Sequence, residues 1–204
     1  MSKINYRSLF LFFGLLLFVN VYSFAQPKVL SKGSTAPMFT SKASQAGNEF
    51  NFSLKKALAK GPVVLYFYPA AYTGGCDLEA HTFAEMKDQF TAAGATIIGV
   101  SADDIQRLKS FSSDPDYCAG KFPVASDAAG KIAASYGLEL TPPQPGVKDV
   151  TGKQVTHGFI PRTTFVIDKN DKIVAVFSSK TDHISADEHV KKSLAIVEGK
   201  IIDN

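Results

Sequence analysis

Two uninterrupted apolar blocks lie near the middle of the chain, Val63-Val64-Leu65-Tyr66-Phe67-Tyr68 and Ala95-Thr96-Ile97-Ile98-Gly99-Val100. Short blocks rich in β-branched and aromatic residues, without alternation, predict strands covered on both faces. Glu49-Phe50-Asn51-Phe52 instead alternates with period two, which predicts a half-buried strand. Between the two blocks, Cys76, Glu79, Phe83, Met86 and Phe90 recur in steps of three and four, so a helix over 76–93 turns one stripe to the core. Ser53 caps a short helix through Ala59, and 101–104 opens another, with Ile105 and Leu108 inward. A short strand is predicted at 122–125, and a short helix over 131–136 is ended by Gly137. Residues 163–167 and 173–177 flank a turn and form a hairpin. Ser185 and Glu188 form a capping box for a last helix carrying Val190, Leu194, Val197 and Ile201. Residues 26–36 read as an extended arm and 138–161 as a long connection. The alternation of strands and helices predicts a three-layer α/β sandwich with a mixed central sheet and no internal domain boundary.

Residues 1–25 follow a different pattern. Lys3 and Arg7 precede an uncharged run from Leu9 to Val19, and Ser23 and Ala25 supply small residues at the positions a signal peptidase reads. A secretory leader over 1–25, cleaved between Ala25 and Gln26, is expected, leaving a domain over 26–204. The apolar run is shorter than the roughly 20 residues of a spanning helix, which sets the cleaved leader above an uncleaved anchor. No cysteine follows the cleavage point, which argues against a lipid anchor. The leader takes two cations and no anion from a formal charge of +3, leaving +1. A near-neutral domain is no footprint for nucleic acid and predicts no stable membrane contact after cleavage. Two cysteines exclude both a disulfide-dense scaffold and a four-thiolate zinc site. His81, His157, His183 and His189 have no metal-ligand spacing and are expected at the surface.

The segment 68–79 joins a buried strand to a helix and places Cys76 at the helix N-terminus. Free N–H groups and the helix dipole favour a thiolate there, and a thiolate is the reactive form of cysteine. Glu79 sits on the apolar stripe, and a buried carboxylate needs a partner. Beyond residue 25 the only arginines are Arg107 and Arg162. Arg162 opens the strand over 163–167 and can reach both Glu79 and Cys76. Arg107 lies among polar neighbours and is expected in solvent.

Pro69-x-x-x-Thr73-x-x-Cys76, with Glu79 three residues on, resembles the active-site signature of the peroxiredoxins (AhpC/TSA family). Arg162-Thr-Thr-Phe-Val-Ile-Asp168 resembles that family's second signature, and Lys153 to Gly158 is similar to its bacterioferritin-comigratory, or Q-type, branch. The likeness runs from about Ser34 to the last helix. It implies a thioredoxin-like fold and thiol-dependent reduction of hydrogen peroxide and organic hydroperoxides, with no metal, haem or flavin. It makes Cys76 the peroxidatic nucleophile and has Thr73 hydrogen-bond the thiolate and the peroxide. In this pattern Arg162 stabilises the developing charge, Pro69 shields the pocket and Glu79 orients Arg162. The implied partners are a peroxide and a thioredoxin-like or other thiol reductant. A periplasmic monomer or weak dimer is expected.

Cys118, 42 residues after Cys76, has two readings. As a structural disulfide partner it would contribute about 4 kcal/mol by constraining the unfolded chain. As a resolving cysteine, the role the resemblance implies, it would attack the Cys76 sulfenic acid and form a reversible disulfide. Many Q-type relatives place their resolving cysteine five residues after the nucleophile, where this chain has His81. A one-cysteine mechanism with an external thiol, and a non-catalytic binding domain stapled by Cys76 and Cys118, remain as alternatives. A thioredoxin-type reductase would need Cys-x-x-Cys, and Thr73 occupies the first of those positions.

Overall fold

A computed structural model describes residues 28–200, so the expected leader lies outside the described residues. Among them no helix is long and apolar enough to cross a membrane. The chain runs β1 (Thr40–Gln45), β2 (Asn48–Ser53), α1 (Leu54–Leu58), β3 (Val63–Phe67), α2 (Gly74–Glu85), α3 (Lys87–Ala92), β4 (Thr96–Ser101), α4 (Ile105–Ser113), β5 (Val124–Ser126), α5 (Lys131–Ser135), β6 (Thr163–Ile167), β7 (Ile173–Ser178), α6 (Ser179–Asp182) and α7 (Ala186–Val197). The seven strands form one sheet in the order β2-β1-β5-β4-β3-β6-β7. β3 pairs parallel with β4 and antiparallel with β6, so the sheet is mixed as expected.

β3 is buried at every position because both faces are covered. Val64, Tyr66 and Tyr68 enter one core with Phe83 of α2, Phe90 of α3, Phe111 of α4 and Val190 and Leu194 of α7. Val63, Leu65 and Phe67 enter the other with Leu54 and Leu58 of α1 and Ala133 of α5. Gly99 of β4 is needed in the first core, since a Cβ there would stand 2.6 Å from the Tyr66 ring. Tyr66 in turn stacks on Phe83 at 4.6 Å, which seats α2 on the sheet.

Several elements depart from the sequence pattern. The helix expected over 76–93 is broken at Met86 into α2 and α3, although Phe83 and Phe90 both still face the core. β2 is mostly exposed despite its alternation: Phe50 is 40% exposed and only Phe52 is buried. It lies at the sheet edge, where Phe52 is covered by Phe39 but Phe50, two residues back on the same face, is not. β1 carries no apolar alternation. Its inward positions are Ala43 and Ser44, and Ser44 is satisfied by a 2.9 Å hydrogen bond to Ser112 of α4.

His189 corrects the expectation of four surface histidines. It is fully buried on α7, with Nδ1 2.9 Å from the Thr164 hydroxyl of β6 and Nε2 3.0 Å from the Ser179 hydroxyl. Burial, reinforced by the Arg162 cation, pushes its pKa down to about 4, so the ring is neutral in the fold. An unfolded chain takes up this proton near the ordinary value of 6.5, and the fold does so only near 4. Stability from this residue is therefore complete above pH 6.5 and lost as pH falls towards 4, by at most about 3 kcal/mol. Urea unfolding at pH 7 and pH 4.5 should show a larger acid-induced loss for the parent than for His189→Asn; equal losses would mean that the ring is already charged in the fold.

Candidate active site

Thr73 caps α2 in an extended conformation, which makes Cys76 the third residue of the helix, its N–H bonded to the Thr73 carbonyl at 2.7 Å. The side chain turns inward and Cys76 is 2% exposed. One turn on, Glu79 is wholly buried on the same face.

Strand order supplies the cation. β6 runs antiparallel to β3 with Thr163 opposite Phe67. The residue just before β6 therefore falls at the end of β3 where the chain departs for α2. That residue is Arg162, whose Nη2 lies 3.2 Å from Cys76 Sγ while Nη1 binds Glu79 Oε2. A Cβ on Gly75 would stand 3.2 Å from Nη2, so glycine keeps the helix start open to the guanidinium. The structure thus brings together Cys76, Glu79 and Arg162 as the sequence suggested. Thr73 stands beside them with its hydroxyl donating to the Ala70 carbonyl at 2.7 Å. Pro69 follows at the end of β3, half-buried.

The electrostatics are a contest. Burial raises the Cys76 thiol above its ordinary value, and the Arg162 cation, the Ala70 main chain and the Thr73 hydroxyl pull it back. The net direction is upward, because desolvation outweighs the cation, while Arg162, the Ala70 main chain and Thr73 still act in favour of the thiolate. Burial likewise raises Glu79 to about 7 against the opposing pull of Arg162. Among the described residues Oε1 of Glu79 has no hydrogen-bond partner, so the carboxylate leans on this guanidinium.

Cys118 is also buried and free, in the turn that follows α4, and no disulfide joins it to Cys76. Pro115 prevents α4 from continuing, because Asp114 before it must be extended. Ala119 and Gly120 then take positive φ of 50° and 70°. The turn is tied to α2 by His81 Nδ1 to the Asp116 carbonyl at 3.0 Å and by Lys121 Nζ to the Ala84 carbonyl at 3.0 Å. Both sulfurs belong to the core cluster that contains Tyr66 and Tyr68. Burial raises the Cys118 thiol well above its ordinary value, and Asp114 and Asp77 raise it further.

Arg107 is not in solvent. Its side chain is 18% exposed, with Nε 2.9 Å from Asp103 Oδ1 and Nη2 2.7 Å from Asp149 Oδ2 and 2.8 Å from the Ala71 carbonyl. His157 is half-buried, its Nε2 2.9 Å from Asp103 Oδ1 and its Nδ1 2.8 Å from the Gly158 carbonyl. Both ring nitrogens face acceptors, and the pKa of His157 is raised despite burial. Asp103 and Arg107 lie one turn apart at the start of α4, whereas Asp149 and His157 come from the long connection, His157 within the stretch 153–158 that resembles the Q-type branch. Among the described residues no group of three or more His, Cys, Asp or Glu side chains is placed to hold a metal ion.

Comparison with known proteins follows the same outline. The AhpC/TSA family profile matches residues 32–176. A Mycobacterium tuberculosis protein named as a peroxiredoxin is 36% identical over 142 residues, covering 70% of this chain and 81% of that protein. The chloroplastic peroxiredoxin Q of Oryza sativa subsp. japonica is 31% identical over 170 residues, covering 83% of this chain and 67% of that one. Among solved structures, the Mycobacterium tuberculosis peroxidoxin BcpB superposes with a TM-score of 0.68 at 31% identity, over 85% of this chain and 99% of that one. A Xanthomonas campestris peroxiredoxin Q superposes with a TM-score of 0.58 at 27% identity, over 78% and 89%.

Replacing Arg162 with Ala removes the charge that opposes burial, so the Cys76 thiol should rise further. The pH midpoint for alkylation of Cys76, followed by peptide mass spectrometry, should move to higher pH. An unmoved midpoint would show that the guanidinium does not tune the sulfur.

Proposed function

Because the chain belongs to the AhpC/TSA family and is a thiol peroxidase of thioredoxin-like fold, we propose that Cys76 is the sulfur that attacks the peroxide. The observation that carries this reading is the Arg162 guanidinium bridging Cys76 Sγ and a fully buried Glu79 at the start of α2. A buried cation on a thiol at a helix N-terminus favours negative charge on sulfur and on an oxygen beside it.

In the first step the Cys76 thiolate attacks one peroxide oxygen. A sulfur–oxygen bond forms, the O–O bond breaks, and water or an alcohol leaves carrying the proton that Cys76 gave up. Sulfur is oxidised to a sulfenic acid and the peroxide is reduced by two electrons. Arg162 faces the charge that builds on the oxygens. Thr73 needs only to rotate its hydroxyl from the Ala70 carbonyl to donate to peroxide or sulfur. Glu79 is a positioning residue that holds Arg162, and Pro69 is proposed to keep water off the thiol.

In the second step the Cys118 thiolate attacks Cys76 Sγ, and the sulfenic hydroxyl leaves as water with the Cys118 proton. The resulting disulfide is reduced by a thioredoxin-like dithiol. Supporting this role, Cys118 shares the core cluster with Cys76 and lies in a turn secured to α2 by two main-chain acceptors. Residues 1–25 are proposed to export the chain to the periplasm, where the domain over 26–204 acts as a monomer or weak dimer on hydrogen peroxide and organic hydroperoxides.

Peroxide consumption with a thiol donor tests the assignment. Cys76→Ser should abolish turnover, and full activity in that variant would overturn it. Cys118→Ser should keep the first oxidation of Cys76 but lose turnover with thioredoxin while keeping it with small thiols. Unchanged thioredoxin-driven turnover would instead select a one-cysteine mechanism.

A further inference from the structure

The loop between β3 and Cys76 holds an unfavourable conformation. Tyr72 has φ +59°, a left-handed backbone that costs a non-glycine residue about 1–2 kcal/mol. Such a conformation persists only where surrounding bonds over-determine it. Here they do so on three successive residues. The Ala70 carbonyl accepts from the Thr73 hydroxyl at 2.7 Å. Ala71 is gripped at both ends of its main chain, its N–H donating to Asp103 Oδ2 at 2.8 Å and its carbonyl accepting from Arg107 Nη2 at 2.8 Å. The Tyr72 carbonyl accepts from the Val150 N–H at 2.9 Å, and its ring lies under the Arg107 guanidinium at 5.1 Å.

The grip is anchored in rigid structure. Asp103 is wholly buried just past β4, with Oδ2 also accepting from Ser101 Oγ at 2.7 Å and its carbonyl accepting from Ser126 Oγ of β5 at 2.6 Å. Asp149 is set by its own loop, since Oδ1 accepts from the Thr151 N–H at 2.8 Å, the Thr151 hydroxyl at 2.7 Å and the Lys153 N–H at 2.9 Å. Burial works against the Asp149 carboxylate, yet the Thr151 hydroxyl and the Arg107 fork hold it at about 2. Arg107 therefore joins three separate segments: the end of β4, the loop after Pro145 and the loop that leads to Cys76. Arg107, Asp103 and Asp149 bind one another and the main chain of Ala71, one step removed from Cys76.

Resting on the assignment of Cys76 as the reacting thiol, we propose that Arg107 and Asp103 are positioning residues that set the reactivity of Cys76 through Ala71 and Tyr72. They fix the backbone that presents the Ala70 main chain and the Thr73 hydroxyl to the sulfur, and the loop after Pro145 closes the clamp through Asp149 and the Val150 N–H. Nη2 donates to both the Asp149 carboxylate and the Ala71 carbonyl, while Nε lies beside Asp103 as an ion pair without hydrogen-bond geometry, a division that a single ammonium does not reproduce, so lysine is not an equivalent.

The experiment compares the full chain with Arg107→Ala, Arg107→Lys and Asp103→Asn, reading the rate at which peroxide oxidises Cys76 and the pH midpoint of Cys76 alkylation, with circular dichroism to confirm the fold. A small displacement of the loop should slow oxidation about tenfold in Arg107→Ala. The alkylation midpoint should move to higher pH, because groups that favour the thiolate are no longer held against it. Arg107→Lys keeps the charge and should still shift the midpoint in the same direction. A parent-like midpoint in folded Arg107→Lys and Asp103→Asn overturns the proposal, whatever turnover does. Failure of the underlying assignment would show elsewhere, as peroxide turnover surviving in Cys76→Ser.

Discussion

One guanidinium held between a buried carboxylate and a thiol is the constraint around which this molecule is arranged. Burying Glu79 without a partner would cost several kcal/mol, and among the described residues Arg162 is the cation that pairs with it, through the one oxygen that is satisfied. That pairing requires β6 beside β3, antiparallel, with its first residue level with the last residue of β3. A register slipped by two would move Arg162 about 7 Å along the strand and out of reach, and a parallel β6 would carry it to the opposite end of β3. The order of strands in the sheet and the chemistry at its edge are thus one requirement.

The same burial works against the charge that the site needs. Both thiols are pushed above their ordinary range by burial, Cys76 against the opposition of Arg162 and Cys118 with carboxylates adding to the effect. The two sulfurs are therefore unlike. One has a cation waiting for negative charge, and the other has neighbouring anions that discourage it. On the proposed roles, sequential chemistry suits that difference: the first sulfur would react beside its cation, and the second would have to draw away from Asp114 and Asp77 before it attacks. Its turn is bound to α2 through side chains reaching carbonyls, bonds that can open without disturbing the sheet.

How much of this was legible in the chain depended on whether partners were close in sequence or strongly patterned. β3 was plain because six successive apolar residues leave no face for water. The stripe of α2 placed Cys76 and Glu79 together, and the scarcity of arginine pointed to Arg162. β1 was invisible because its buried positions are Ala43 and Ser44, one small and one satisfied by Ser112, so no hydrophobic period marked it. His189 looked like a surface residue because its partners, Thr164 and Ser179, lie 25 and 10 residues away. The break at Met86 left no trace, since both halves of the helix keep the same stripe towards the core.

Arg107 departs furthest from what its sequence neighbours suggest. Its neighbours in α4 are polar, and that made solvent the natural expectation. Its actual partners are Asp103 one turn back, Asp149 across the long connection, and a carbonyl two residues past Pro69. A carbonyl has no sequence signature, so a side chain recruited to hold main chain cannot be inferred from residue types. The two arginines of the domain thus do comparable work at different removes. Arg162 meets the sulfur directly from the sheet, and Arg107 meets the backbone that carries the sulfur from the helix beside it. A lysine could supply the charge at either place, but neither place is satisfied by charge alone: each needs one flat group with donors pointing at partners on different segments. That shared demand for geometry is met from two sides of the same short loop, by Arg162 at the Cys76 end and by Arg107 at Ala71.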